Sequence, residues 1–550
     1  MFADRRHRPY RARRISQPVM TALTIIAACS LLSPHGAAEG SDRDSHRAPN
    51  IVLILADDLG WSDLGCYGGE IPTPHVDRLA AGGLRFTQFY NNAICGPTRA
   101  SLLTGLYCQQ VGHRGDRWNE PKDFNRCVLV AELLRAGGYR TMMVGKWQGR
   151  DLAVRRGFDR FFGPMCQAKI SYFHEVQQDP FYLDDQRWQL PEGFYLTEAF
   201  SDYAVRFVEE ASGDTRPFFL YVAYIAPHWP LHAREADVAP HRDVYREHGW
   251  EACRAERFRR QREIGLIPEG WGLSPKPAEV TPWEQDPHQA WQAERMAVYA
   301  AQVSGVDRGV GRILGAVREA GVEESTLVMF LSDNGAAPDG GVAPTESGFG
   351  FGPNARNDTW RLDGVPIRPG SGPDNMPGPH DTFAAYGIAW ASASNTPLRG
   401  TKLTAYEGGI RTPLVVRWPA VIRRPGKLVA DVGHVIDLMP TCLEVAGLDY
   451  PAEFHGRKPL PLEGKSLTPV FRGEPRQGHE ALCWDVPRNR AIRTGRWKLV
   501  GPRGKAAWEL YDLEADGTET RNLAAQHPER VRDMAAGWQA WAERCGVGRW

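Results

Sequence analysis

The sequence predicts an α/β fold: a large, mostly parallel central sheet flanked by helices, plus a small C-terminal domain with an antiparallel sheet and a helix. Three observations predict it. Asn50–Ala56, Phe218–Tyr224 and Ser325–Leu331 are near-continuous apolar runs, the pattern of strands buried on both faces of a parallel sheet. Two of these runs end in polar pairs, Asp57-Asp58 and Asp333-Asn334, at the carboxyl ends where open α/β sheets place their ligands. From about Pro475 the texture changes to short strands, Ala481–Trp484, Ala491–Val500 and Trp508–Leu513, and an amphipathic helix follows at about Pro528–Trp541.

The chain's 550 residues accommodate one large domain, predicted at 46–472, and a smaller one at 473–550. Lys plus Arg equals Asp plus Glu at 66 each, so net charge gives no attraction for nucleic acid, and no nucleic-acid partner is expected. Residues 1–38 read as an export signal. Arg5, Arg6, Arg8, Arg11, Arg13 and Arg14 precede a short apolar run, Val19–Leu32, and a small-residue site at Gly36-Ala37-Ala38. The mature chain is therefore expected in the periplasm or secreted, and the run is too short for a stable membrane span. Arg13-Arg14 fits a twin-arginine route, and Cys29 offers a lipid-attachment alternative. With Cys29 and Cys95 set aside, eight of the ten cysteines remain, which permits disulfides but does not choose among connectivities. No C-x-x-C pair occurs, which argues against structural zinc.

In chain order, Asn50–Ala56 is the first buried strand. Asp57-Asp58 after it is either an Asx turn or a pair that needs a cation, because adjacent buried carboxylates are costly alone. Thr73–Ala80 leads from a loop into a helix, and Leu84–Tyr90 is a strand. Ile94–Gly105 has the grammar of a helix start: Pro97 suits the first turn, and Leu102, Leu103 and Leu106 supply the apolar face. Cys95 then sits at the positive end of the helix dipole with Arg99 on the same face at i+4. Taken alone, this is as compatible with a buried thiol beside a surface arginine. Val128–Ala136 reads as a helix and Gly138–Lys146 as a strand ending in a cation. His228 and His232 are four apart, but Pro227 and Pro230 make this a loop and argue against a helical zinc pair. Glu235 to about Glu294 is polar and Trp-rich, and the basic run Arg254–Arg262 reads as a solvated helix. Met296–Ala320 is helical. Asp333-Asn334-Gly335 alone is a common turn, although it follows a buried strand. The Gly- and Pro-rich stretch from Gly335 to about Ser394 reads as a long loop rimming a cleft. Pro413–Trp418 is a strand and His434–Leu448 a helix.

Cys95-Gly96-Pro97-Thr98-Arg99, followed by Ala100-Ser101-Leu102-Leu103-Thr104-Gly105, resembles the signature of the sulfatase family, within the alkaline phosphatase superfamily. Thr98 stands where serine is commoner. Further stretches resemble the family too: Gly145-Lys146-Trp147, Arg156–Gly163, His228–His232, Pro397–Pro413, Glu509–Leu513 and Arg521–Ala524. The resemblance runs from about Asn50 to the end.

The resemblance implies an arylsulfatase-type hydrolase in which Cys95 is oxidised to formylglycine by a maturation enzyme. It implies a divalent cation, Ca²⁺ or alternatively Mg²⁺, on Asp57, Asp58, Asp333 and Asn334, an all-oxygen set that suits these hard ions, with the modified Cys95 as a further ligand. It makes Cys95, Arg99, Lys146, His228 and Lys402 catalytic, with Lys146, His228 and Lys402 binding the sulfate of a small-molecule or glycan ester. Without it, Lys146 and Lys402 read as solvated lysines. One position departs: Gln148 stands where the family carries histidine, and glutamine hydrogen-bonds but does not titrate. Two rivals follow. One is a phosphate or phosphonate ester hydrolase on the same fold; the other is a sulfated-glycan binder impaired in turnover by Gln148.

Overall fold

The computed structural model describes residues 48–112, 127–149, 151–165, 171–174, 180–338, 368, 372–503 and 507–547. The expected export signal at 1–38, with Cys29, lies outside the described residues, as does most of the predicted 335–394 loop.

Eleven strands form the large sheet: β1 (Asn50–Ala56), β2 (Leu84–Tyr90), β3 (Arg140–Gly145), β4 (Arg160–Pro164), β5 (Phe181–Leu183), β6 (Gln186–Trp188), β7 (Phe218–Ala223), β8 (Thr326–Ser332), β9 (Arg411–Arg417), β10 (Lys427–Val429) and β11 (Gly433–His434). Their order is β10-β2-β9-β8-β1-β7-β3-β4-β5-β6, with β11 also on β2. The centre β8-β1-β7-β3-β4 is parallel, and β9 runs antiparallel to both β8 and β2.

The reason these strands are apolar throughout is visible in their side-chain alternation. Ile51, Leu53 and Leu55 join one core, with Leu102, Leu134 and Leu443 from helices on that face. Val52, Ile54 and Ala56 join the other, with Phe200, Phe207 and Val310 from helices on the opposite face. Covering both faces demands apolar residues at every position.

A second sheet, β12 (Leu482–Asp485), β13 (Asn489–Thr494), β14 (Trp497–Pro502) and β15 (Glu509–Asp512), is antiparallel and packs with the terminal helix Pro528–Arg544. Its core is continuous with Tyr90, Tyr107, Ile410 and Ile436 of the larger part, so it abuts the segments around Cys95 and Lys402.

Several expectations are corrected. Ala491–Val500 is a hairpin rather than one strand: Thr494 pairs with Trp497 around Gly495, whose φ of 56° supplies the left-handed turn. His434–Leu448 is not helical throughout. Its start pairs with β2, Asp437 accepts from the His434 N–H at 2.9 Å, and the α-helix is Leu438–Val445. The basic helix, Trp250–Glu263, is not simply solvated, because Arg254 and Arg257 are buried and Arg257 pairs with Asp63 and Glu70, each at 2.7 Å. The predicted long loop closes with a helix, Gly387–Ser394. No disulfide joins the eight described cysteines. No helix among the described residues is long and apolar enough to cross a membrane.

Candidate active site

The topology delivers separate polar segments to one edge of the large sheet. β1, β3, β7 and β8 are parallel neighbours, so Asp57-Asp58, Lys146, the Tyr224–His228 segment and Asp333-Asn334 leave the same carboxyl edge. β2 runs the same way and feeds the helix Cys95–Thr104; β9 runs oppositely, so the loop with Lys402 enters at that edge too.

Charge organises the centre. Asp57, Asp58, Asp333 and Asn334 are all buried, at 2% exposure or less. Arg99 is buried as well, and its guanidinium is held by its neighbours. Nε and Nη2 donate to Asp333 at 2.9 and 2.7 Å, and Nη2 also reaches Asp57 at 3.3 Å. Nη1 donates to the Lys146 carbonyl at 3.4 Å. Lys146 Nζ pairs with Asp57 and Lys402 Nζ with Asp58, while Asn334 Nδ2 donates to Asp58 at 2.7 Å.

Three cations thus face three carboxylates in a place from which water is largely excluded, and the titrations separate accordingly. Burial favours neutral Asp57, but Lys146, His228 and Arg99 outweigh it and hold its carboxyl below the usual range. Asp333 goes the other way: burial, reinforced by the adjacent Asp57 charge, pushes it up to about 6 against Arg99. Burial opposes the charge on Lys402 too, yet Asp58 and its neighbours raise its pKa, so it stays an ammonium.

Cys95 opens its helix half-buried, and Gln148 Nε2 lies 3.6 Å from its sulfur. His228 Nδ1 meets the Trp229 carbonyl at 2.5 Å, and Nε2 lies 3.5 Å from Asp58. Burial lowers its pKa, opposed by Asp58 and Asp57. His232 stands apart from this centre: Ser171 Oγ at 3.2 Å and the Thr382 carbonyl at 2.6 Å take both ring nitrogens, and burial lowers its pKa to about 4. It is a core histidine.

The donor set fits a hard divalent cation. Asp57 Oδ1, Asp58 Oδ2 and Asn334 Oδ1 are buried oxygens without a hydrogen-bond partner, and such orphans are costly unless something positive satisfies them. Ligand atoms of Asp57, Cys95 and Asp333 lie within 4.8 Å of one another, as do those of Asp57, Asp58 and His228.

Some of the site gave no sequence signal. Asp58, Ala93, Gln148 and Leu403 hold positive φ, from 58° to 74°, at or beside site residues, and backbone strain of this kind gathers at functional sites. Glycine at those positions would have announced the turns. Nor did the sequence disclose Asn395, whose buried side chain joins the loops, or the buried Glu407–Lys498–Glu519 cluster beneath them.

Comparison with known proteins gives one consistent picture. The family model described as Sulfatase matches residues 49–448, and that described as N-sulphoglucosamine sulphohydrolase, C-terminal, matches 401–536. An uncharacterized sulfatase of Schizosaccharomyces pombe is 30% identical over 91% of this chain and 94% of its own. An arylsulfatase of Klebsiella aerogenes is 31% identical over 79% and 94%. An N-acetylgalactosamine-6-sulfatase of Rattus norvegicus is 28% identical over 85% and 71%. The crystal structure of Ps i-CgsB in complex with k-i-k-neocarrahexaose superposes with a TM-score of 0.64 and 25% identity, covering 90% of this chain and 93% of that one.

Proposed function

The chain belongs to the sulfatase family and is a sulfuric ester hydrolase, and from that premise we propose that it cleaves sulfate esters at residue 95, releasing an alcohol and inorganic sulfate. The observation that carries this reading is the convergence of the Cys95 sulfur with carboxylate oxygens of Asp57 and Asp333 inside 4.8 Å. It supports a nucleophile at residue 95 beside a cation.

A formylglycine hydrate, made from Cys95 by a formylglycine-generating or equivalent enzyme, would supply one hydroxyl as the nucleophile that displaces the alcohol from sulfur and a second that loses its proton as the aldehyde re-forms and sulfate leaves. Asp57, Asp58, Asp333 and Asn334 would hold Ca²⁺ or Mg²⁺, which supplies fixed positive charge to residue 95 and the sulfate oxygens. The remaining work falls to side chains. Lys146 and Lys402 place ammonium charge where sulfate charge develops, preorganised by Asp57 and Asp58. Arg99 spends its hydrogen bonds on Asp333 and Asp57, so it acts by holding the carboxylates ionised. The Trp229 carbonyl can only accept, so it holds the Nδ1 proton of His228, and Nε2 carries the second proton, the one passed to the departing alcohol, in the imidazolium form that Asp58 and Asp57 favour against burial.

The catalytic domain is 46–472 and the small C-terminal domain 473–550. Residues 1–38 direct export to the periplasm or beyond. The substrate is a small-molecule or glycan sulfate ester; the glycan class draws on likeness to the N-acetylgalactosamine-6-sulfatase and to Ps i-CgsB. Gln148 beside Cys95 favours one rival, a sulfated-glycan binder with impaired turnover.

Parallel assays of matured protein with aryl sulfate and aryl phosphate decide between the readings. The proposal expects kcat/KM for sulfate to exceed that for phosphate. A phosphate preference, or tight sulfate binding without hydrolysis, contradicts it.

A further inference from the structure

We propose that Asn395 is a positioning residue, a single buried amide that locks the Asp57-Asp58 turn, the Asp333-Asn334 turn and the Lys402 loop in mutual register. The inference rests on the function proposed above and concerns a residue that bears none of the chemistry.

An asparagine amide has two donor hydrogens and an oxygen that accepts two hydrogen bonds. Asn395, fully buried, uses all four. Its Oδ1 accepts from the Trp61 N–H at 3.4 Å, just past Asp57-Asp58, and from the Ala336 N–H at 3.1 Å, just past Asp333-Asn334. Its Nδ2 donates to the Gly400 carbonyl at 3.1 Å and the Gly408 carbonyl at 2.8 Å, on either side of Lys402. The acceptor half therefore faces the cation-ligand turns and the donor half faces the lysine loop.

Around this amide the loops meet backbone to backbone. A Cβ on Gly335 would sit 1.8 Å from the Gly408 oxygen, one on Gly408 2.2 Å from the Gly400 oxygen, and one on Gly60 2.4 Å from the Ser394 oxygen. Segments in such contact have few side chains with which to set their spacing. The amide's fixed geometry sets it, and the separation between Lys402 and the cation ligands follows.

The two halves of the amide can be cut separately. Asn395→Asp keeps the volume and the acceptors toward Trp61 and Ala336 but leaves the Lys402 loop at most one donor, the proton of a buried carboxyl, in place of two; Asn395→Ala removes everything. Asn50 is the control. It is also buried, its Nδ2 donates to Thr326 Oγ1 at 3.3 Å and its Oδ1 accepts from the Phe218 N–H at 3.0 Å, but it lies at the opposite end of the same strands.

Each variant is measured below its melting temperature for kcat on an aryl sulfate and, by calorimetry, for Ca²⁺ affinity. Asn395→Ala is expected to lose about 10–100-fold in both, the usual cost of removing groups that orient a metal site. Asn395→Asp should lose a similar factor in kcat while Ca²⁺ affinity stays within about threefold, and Asn50→Ala should keep both within about threefold. Asn395 variants with wild-type kcat and affinity overturn the inference, as does an Asn50→Ala loss equal to theirs. If Asn395→Ala does not fold, the kcat-against-affinity split in Asn395→Asp decides alone. A wild-type chain without sulfate turnover rejects the proposed function itself and the inference with it.

Discussion

Gln148 lies within 3.6 Å of the Cys95 sulfur, where a titratable side chain would reach the reacting group, and holds a left-handed φ of 58°. Glutamine keeps the hydrogen bond but moves no proton. Gln148→His is therefore expected to raise kcat, within the roughly 10²–10⁴-fold that a positioned acid or base supplies. It should also add an ionisation near about 6.5 to the pH–rate profile. Unchanged kcat with an unchanged profile would assign position 148 to packing alone. At this scale the strand ends drew attention to Asp57, Asp58, Asp333 and Asn334, whereas Cys95, Lys146, His228 and Lys402 stood out only through the family resemblance; the fold gathers all eight at one edge. What the motif does not announce is orientation. The Arg99 guanidinium points at Asp333 and Asp57, a direction set by charges that lie far away in sequence.

Among the elements, the second sheet bears on the site through charge. Lys498 on β14 is fully buried and pairs with Glu407 at 2.7 Å and Glu519 at 2.8 Å, while Tyr90 OH donates to Glu407 at 2.8 Å. Glu407 starts the turn that leads the Lys402 loop into β9, and its N–H donates to Glu519 at 2.7 Å. Burial, and repulsion from Glu407, push Glu519 up to about 7 despite Lys498. A carboxyl raised from 4.5 to about 7 holds an extra proton in the folded chain, so its contribution to stability is full at low pH and declines as pH rises from 4.5 to 7. Chemical denaturation across that window should show Glu519→Gln with a less negative slope of stability against pH than the wild type. Equal slopes would contradict the assignment. None of this was readable from sequence, since one lysine and two glutamates 91 and 21 positions from it look like surface residues. The hairpin was missed for a different reason: Gly495-Arg496 breaks a mixed polar and apolar stretch, Ala491–Val500, without the Asn-Gly or Asp-Gly signal of a tight turn. The Trp250–Glu263 helix was misread because charge suggests solvent, and only Asp63 and Glu70 opposite Arg257 reveal its burial.

The whole molecule is a device for bringing distant segments to one edge. Parallel strands point their carboxyl ends the same way, so buried runs separated by more than a hundred residues contribute Asp57-Asp58, His228 and Asp333-Asn334 to one place. The fold class was legible for the same physical reason: strands covered on both faces are apolar at every position, and that pattern survives in sequence. Strand order and the antiparallel direction of β9 were not, because they depend on pairing between segments. The central claim is that this convergence makes residue 95 a carbonyl-derived nucleophile in a working sulfate ester hydrolase. Its most direct test is mass spectrometry of the tryptic peptide Phe86–Arg99, taken from an enzyme preparation whose aryl sulfate turnover has been measured. The account predicts the aldehyde or its hydrate at position 95, in proportion to activity across preparations; full activity with only the thiol present would contradict it.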